Sequence, residues 1–209
     1  MERIIAEHLL SIQAVFLNPK DPFTWASGIK SPIYCDNRLT LSNVAVRRDV
    51  EAALAQIIRT HYPQCEAIMG TSTAGIAHAA LVADLLELPM GYVRADSKDH
   101  GRHNQIEGRC APGTKVVVVE DLISTAGSCL EVVQVLRDQQ AEVLGIASIF
   151  TYGMQKGLDR LAAAQVQNVS ATNLDVLIDV AIREGYLKPA DRSRLLKFRD
   201  NPSDESWMI

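Results

Sequence analysis

Apolar positions along this chain switch between helical spacing and short extended runs, and each switch predicts an element. Ile5, Leu9, Ile12 and Phe16 fall at intervals of three and four, which predicts an amphipathic helix ending near Asn18 and Pro19. Two short β-type runs follow, residues 23–26 and 33–35, on either side of a turn containing Ser27 and Gly28; they predict a hairpin carrying Phe23, Trp25 and Tyr34. Helical spacing returns at Val46, Val50, Leu54 and Ile57, with Ser42 placed to cap that helix.

From residue 66 strands and helices alternate. Residues 66–70 read as a strand, 71–75 as a small-residue loop, 76–86 as an Ala- and Leu-rich helix, and 89–93 as the next strand. A polar stretch covers 94–113. Residues 115–119 then form a strand, 128–139 a helix and 143–150 another apolar strand. Further on, a helix over 174–184 stops at Gly185, a second begins at Pro189, and residues 201–209 read as a loose tail. The consecutive Val116, Val117, Val118 and Val119 point to a strand buried on both faces, as in a parallel sheet. Together these elements predict an α/β fold, a mostly parallel doubly wound sheet flanked by helices. One domain over 1–209 is expected, with a small N-terminal hairpin hood at about 18–40 and a lid loop at about 94–108.

Composition narrows the class without naming an activity. The 209 residues are 47% apolar and 22% charged, so they can fill a core and are not those of a disordered chain. A net charge of −4 gives no basic field, so nucleic acid and anionic membranes are not expected partners. No apolar run approaches the roughly 20 residues of a membrane span. The N-terminus, with Glu2 and Glu7, does not read as a signal peptide, and the cytoplasm is the expected compartment. Cys35, Cys65, Cys110 and Cys129 are too far apart for a zinc motif and are expected as reduced thiols.

In a doubly wound sheet, ligands sit beyond the carboxyl ends of the strands. Three loops leave such ends here. The first, 71–75, offers the hydroxyls of Thr71, Ser72 and Thr73, with Gly75 allowing a close approach by an anion. The second follows the valine strand with Glu120 and Asp121, then Leu122, Ile123, Ser124, Thr125, Ala126, Gly127 and Ser128. A strand, a small polar loop and a helix start make a phosphate cradle of backbone N–H groups. The two carboxylates would repel that phosphate, so neighbouring hydroxyls or a metal-bearing sugar phosphate are their natural partners. The third loop carries Arg94, Lys98, His100, Arg102 and His103 between flexible glycines, as lids do. Each loop alone has a plainer reading as a tight connection, a helix cap or a solvated face. Neither the Walker pattern nor the dinucleotide glycine fingerprint is present, which disfavours an ATPase or a nicotinamide enzyme.

Val-Val-Val-Val-Glu-Asp-Leu-Ile-Ser-Thr-Ala-Gly-Ser over 116–128 resembles the phosphoribosyl-pyrophosphate signature of type I phosphoribosyltransferases. The hairpin sequence over 23–38, and the lid with Lys98-Asp-His-Gly and Asn-Gln-Ile-Glu-Gly108, are similar to orotate phosphoribosyltransferases. The likeness covers nearly the whole chain, with the three motifs in the family's order. It implies transfer of a 5-phosphoribosyl group from phosphoribosyl pyrophosphate to orotate, with Mg2+ held mainly by pyrophosphate and ribose oxygens and not by a protein cage. The resemblance implies Lys98, Glu120 and Asp121 as catalytic residues. It gives the ribose hydroxyls to Glu120 and Asp121, and the 5′-phosphate to the run from Ile123 to Ser128. Thr71, Ser72 and Thr73 would face the pyrophosphate, with Arg94, Lys98 and His100 neutralising it, while Ser124 and Tyr34 meet orotate. A homodimer with the lid shared across the interface is implied too. This chain departs from many members in having Ala26 before the hood's Ser-Gly, Ala95 after Arg94, and no arginine over 151–156. Lys30 and Arg38 are the remaining hood cations that could meet the orotate carboxylate.

Overall fold

The structure is a computed structural model that describes residues 1–25, 28–94 and 105–208. The first helix, α1 (Glu2–Ser11), is shorter than its apolar spacing predicts. Gln13 takes a left-handed φ of 57° just after it, and β1 (Val15–Leu17) pairs antiparallel with β4 (Ile33–Cys35). Phe16 therefore belongs to a strand and is exposed; its match to the helical period is a coincidence of spacing. The predicted hairpin splits in two. Short β2 (Phe23–Thr24) pairs with β3 (Lys30–Ser31), not with β4. Pro32 separates β3 from β4 and has no N–H for a ladder, while its carbonyl accepts from Asn18 N at 2.8 Å. A 3-10 turn, Asn37–Ser42, leads into α2 (Val44–His61), which Asn43 caps in place of Ser42 by accepting from Val46 N at 3.1 Å.

The main sheet is built from β5 (Ala67–Thr71), β6 (Met90–Val93), β7 (Ile106–Glu107), β8 (Lys115–Ile123), β9 (Glu142–Thr151) and β10 (Asn168–Asn173). Their spatial order is β10, β9, β8, β5, β6, β7, parallel throughout except for β7, which closes the edge antiparallel to β6. The polar stretch after β6 is thus narrower than predicted, because Ile106 and Glu107 return to the sheet.

The alternating burial of β8 explains the two layers. Val117 and Val119 enter a cluster with α1, α2, α3 (Ala74–Leu86) and α6 (Leu174–Arg183), while Val116 and Val118 enter another with α4 (Gly127–Asp138) and α5 (Gln155–Ala163). All four valines are fully buried. β8 runs four residues past its predicted end at Val119, through both carboxylates. α5 and β10 do not appear among the predicted elements. The C-terminal segment is not loose: after α7 (Arg192–Asp200), a 3-10 turn over Glu205–Met208 buries Trp207 edge-on against Phe198 at 5.8 Å. No helix among the described residues is long and apolar enough to cross a membrane.

Candidate active site

The chain leaves β5 through α3 towards β6 and leaves β8 through α4 towards β9. These departures diverge between two adjacent strands, so a crevice opens at the carboxyl ends of β5 and β8. Glu120 sits there, 4% exposed. Its Oε1 accepts from Thr71 Oγ1 at 2.7 Å and from Asp121 N at 2.9 Å, and its Oε2 accepts from Ser128 Oγ at 3.4 Å. Burial, with Asp121 beside it, pushes the Glu120 carboxyl up to about 8. Gly75 makes the arrangement possible: a Cβ there would stand 2.4 Å from Thr71 Oγ1 and 2.5 Å from the Val119 carbonyl.

Beyond β8, residues 124–126 form the turn into α4. Ala126 takes a left-handed φ of 60°. Among the described residues, no acceptor engages the N–H groups of Ser124, Thr125 or Ala126. The first-turn amides of α4 add further donors without intrahelical partners, and the helix dipole favours an anion there. α5 backs this loop. Its Gly157 lies so close that a Cβ would be 2.5 Å from the Ser124 carbonyl, and Arg160 donates to the Thr125 carbonyl at 3.1 Å.

Several of the residues singled out in the sequence line one of two cavities, while Glu120 and Asp121 line neither. One, of about 300 Å³, is lined by Thr71, Ser72, Arg94 and Ser128, with Gln105 and Val135 among its other walls. There Arg94 pairs with Glu107 at 3.2 Å. The other, of about 270 Å³, lies under the hood and joins Tyr34, Leu122 and Ser124 with Trp25, Cys35 and Tyr152. Its aromatic walls are held from behind: Trp25 meets Tyr152 and Phe198, each at 5.6 Å, and Phe23 meets Tyr34 at 5.9 Å. Thr73 is exposed at the start of α3. Neither hood cation lines this cavity. Lys30 donates to Thr24 Oγ1 at 2.7 Å, and Arg38 forks onto Asp36 at 2.6 and 2.8 Å. Lys98, His100, Arg102 and His103 lie outside the described residues.

Two residues that the motifs passed over also belong to the site. Asn37, 1% exposed, donates from Nδ2 to the Asp121 carbonyl at 2.6 Å and accepts the Cys35 thiol at 3.2 Å, tying the hood to the carboxylate pair. Its place in the hood motif was visible; its partner, 84 residues away, was not. His78 on α3 is fully buried, and burial lowers its pKa against the opposing pull of Asp121.

Residues 41–180 match the phosphoribosyl transferase domain. The orotate phosphoribosyltransferase of Bacillus cereus (strain G9842) is 54% identical over 208 residues, covering 100% of this chain and 99% of that protein. The chain belongs to the orotate phosphoribosyltransferase family. Another member, from Halalkalibacterium halodurans, is 51% identical with the same coverage. The crystal structure of orotate phosphoribosyltransferase from Aeropyrum pernix superposes with a TM-score of 0.76 at 29% identity, over 88% of this chain and 99% of that one. Family membership and geometry meet along the signature: Leu122 and Ser124 line the hood cavity, and Ser128 at the signature's end lines the other.

Proposed function

We propose that this chain transfers the 5-phosphoribosyl group from phosphoribosyl pyrophosphate to orotate, giving orotidine 5′-monophosphate and pyrophosphate in pyrimidine biosynthesis. The observation that carries the reading is a buried Glu120 between unpartnered loop amides and an aromatic-walled cavity. A sugar phosphate fits such a place, with its phosphate on the amides of 124–128, its hydroxyls on Glu120 and Asp121, and C1′ turned to the hood. An acceptor ring then lies between Tyr34 and Ser124, in reach of C1′.

The chemistry asks for charge stabilisation more than for a nucleophile. As the C1′–O bond breaks, positive charge builds on the ribose and negative charge on pyrophosphate, while the acceptor nitrogen forms the new bond to C1′. Ionised Glu120 and Asp121 stabilise the ribose side. Thr71, Ser72, Thr73 and Arg94, with Lys98 and His100 of the lid, serve the pyrophosphate side. Pre-positioning in a crevice with a closing lid supplies the rest. Two adjacent carboxylates are a sparse donor set. Among the described residues no three His, Cys, Asp or Glu side chains gather into a metal cage. Such a set suits magnesium carried in on pyrophosphate and ribose oxygens, where it would offset the negative charge of the diphosphate. The working unit is a cytoplasmic homodimer in which each lid closes over the other subunit's site.

Offering the chain phosphoribosyl pyrophosphate, magnesium and a panel of bases tests this directly. Loss of the orotate ultraviolet band, with no turnover of uracil or purines, is expected. Turnover of another base would reassign the acceptor, and donor binding without turnover of any base would make the chain a sensor.

A further inference from the structure

The outward side of the phosphate loop raises a question that the loop's own residues do not answer. Arg160 is exposed on α5 and donates from one guanidinium nitrogen to the Thr125 carbonyl at 3.1 Å. The same nitrogen would stand 3.7 Å from a Cβ built on Gly127, the first residue of α4. A cation is therefore parked at the positive end of a helix, where the dipole disfavours it. No carboxylate among the described residues forms an ion pair with it to offset that. Such a cluster of like charge is stabilised when an anion arrives.

The peptide geometry adds a second argument. The only cis peptide bond among the described residues is Ser72–Thr73, so the bond between Thr125 and Ala126 is trans. In a trans peptide the carbonyl and the next N–H point in opposite directions. Drawing the Thr125 carbonyl towards α5 therefore turns the Ala126 N–H the other way, into the loop. Gly157, pressed on the Ser124 carbonyl, constrains the preceding peptide in the same manner and aims the Thr125 N–H. Leu161, buried in the core beside Arg160, keeps α5 from drifting away from the loop.

We infer that Arg160 is a positioning residue for the donor's 5′-phosphate: it fixes the Thr125–Ala126 peptide with the N–H inward and places a positive charge beside the dianion. This inference rests on the proposed phosphoribosyl transfer, because it takes that phosphate as the loop's ligand. It concerns the 5′-phosphate end of the donor alone, and so separates from effects on pyrophosphate or on orotate.

The test compares wild type with Arg160→Ala, Arg160→Gln and Arg160→Lys, using two probes of the donor's opposite ends. Ribose 5-phosphate reports the loop and pyrophosphate reports the lid side, each by calorimetry and as an inhibitor competing with phosphoribosyl pyrophosphate. For Arg160→Ala, binding of ribose 5-phosphate should weaken roughly tenfold, the loss expected for one charge-assisted partner. KM for phosphoribosyl pyrophosphate should rise in step, while pyrophosphate affinity, KM for orotate and kcat stay within about twofold, the span left when uniform binding alone is lost. Arg160→Lys, which keeps charge and donor, should recover most of the loss, and Arg160→Gln should recover less. Unchanged ribose 5-phosphate affinity in Arg160→Ala, or equal weakening of both probes, overturns the inference. Should the alanine variant not fold, the same comparison between the glutamine and lysine variants decides it. A wild-type chain that binds no ribose 5-phosphate overturns the donor-site reading and this inference together.

Discussion

Glu120 shows why a residue's type and its state must be read separately. The sequence placed a carboxyl pair just beyond a strand read as ending at Val119, with neighbouring hydroxyls or the cap of the next helix as its task. In the fold Glu120 is buried, accepts three hydrogen bonds, and is pushed by burial up to about 8, from an ordinary value of 4.5. The local pattern does not reveal that shift, because its largest cause is burial in the folded crevice; the Asp121 side chain adds to it, while the hydrogen bond from Thr71 pulls the other way. Its consequence for stability has a definite sign. The folded chain holds the proton up to about pH 8, whereas the unfolded carboxyl releases it near 4.5, so this stabilisation is complete below pH 4.5 and lost as pH rises towards 8. Glu120→Gln, neutral throughout, should match wild type in thermal stability at pH 5 and exceed it at pH 9 by roughly 1–3 kcal/mol. In wild type kcat/KM should climb through an apparent pKa of about 8 as the stabilising carboxylate forms, a limb the glutamine variant should lack. Parallel stability curves for the two proteins would show that Glu120 is ionised in the free chain.

At the scale of elements, those read correctly were the ones that carry their own punctuation. The valine run of β8 and the apolar stripe of α2 came through because burial on both faces, or on one, writes a period into the sequence. The hood was misread because its pairing is not local: β4 chooses β1, reached past a proline, over the nearer β2. The C-terminal segment was misread because a polar run hides one anchor, Trp207. Asn37 is the element-scale counterpart, a hood residue bonded to β8, and it yields a prediction about how the two site halves communicate. Asn37→Ala leaves the Asp121 carbonyl without its donor, at about 1–3 kcal/mol. KM for orotate should rise several-fold while the affinity for inorganic phosphate, held further along the loop at 124–128, stays the same. Equal losses at both ends would make Asn37 a general stabiliser of the fold and not the register between hood and strand.

For the whole molecule, the order of strands locates the site more firmly than any single motif. Signature and hood lie far apart in sequence, but strand β8 sits where the connections part, and its end borders the hood cavity through Leu122 and Ser124. The small-residue loop after β5 meets it from the other side through Thr71. Fold class and the two loops that meet at the ends of β5 and β8 were therefore legible in the sequence, since consecutive residues carry them. The hood cavity was legible only in part: Tyr34 stands out as an aromatic, whereas Cys35, Asn37 and Tyr152 join it through tertiary packing alone. The support that α5 gives the turn over 124–126 was not legible, because neither Gly157 nor Arg160 belongs to a motif.

The most direct measurement is a crystal structure of the chain with orotidine 5′-monophosphate and pyrophosphate. The phosphate is predicted within hydrogen-bond distance of the amides of residues 125–128, the ribose hydroxyls on Glu120 and Asp121, and the pyrimidine beside Tyr34 and Ser124, under a lid from the second subunit. A pyrimidine seated instead between Arg94 and Val135, or a phosphate away from that loop, would contradict the assignment of the two cavities.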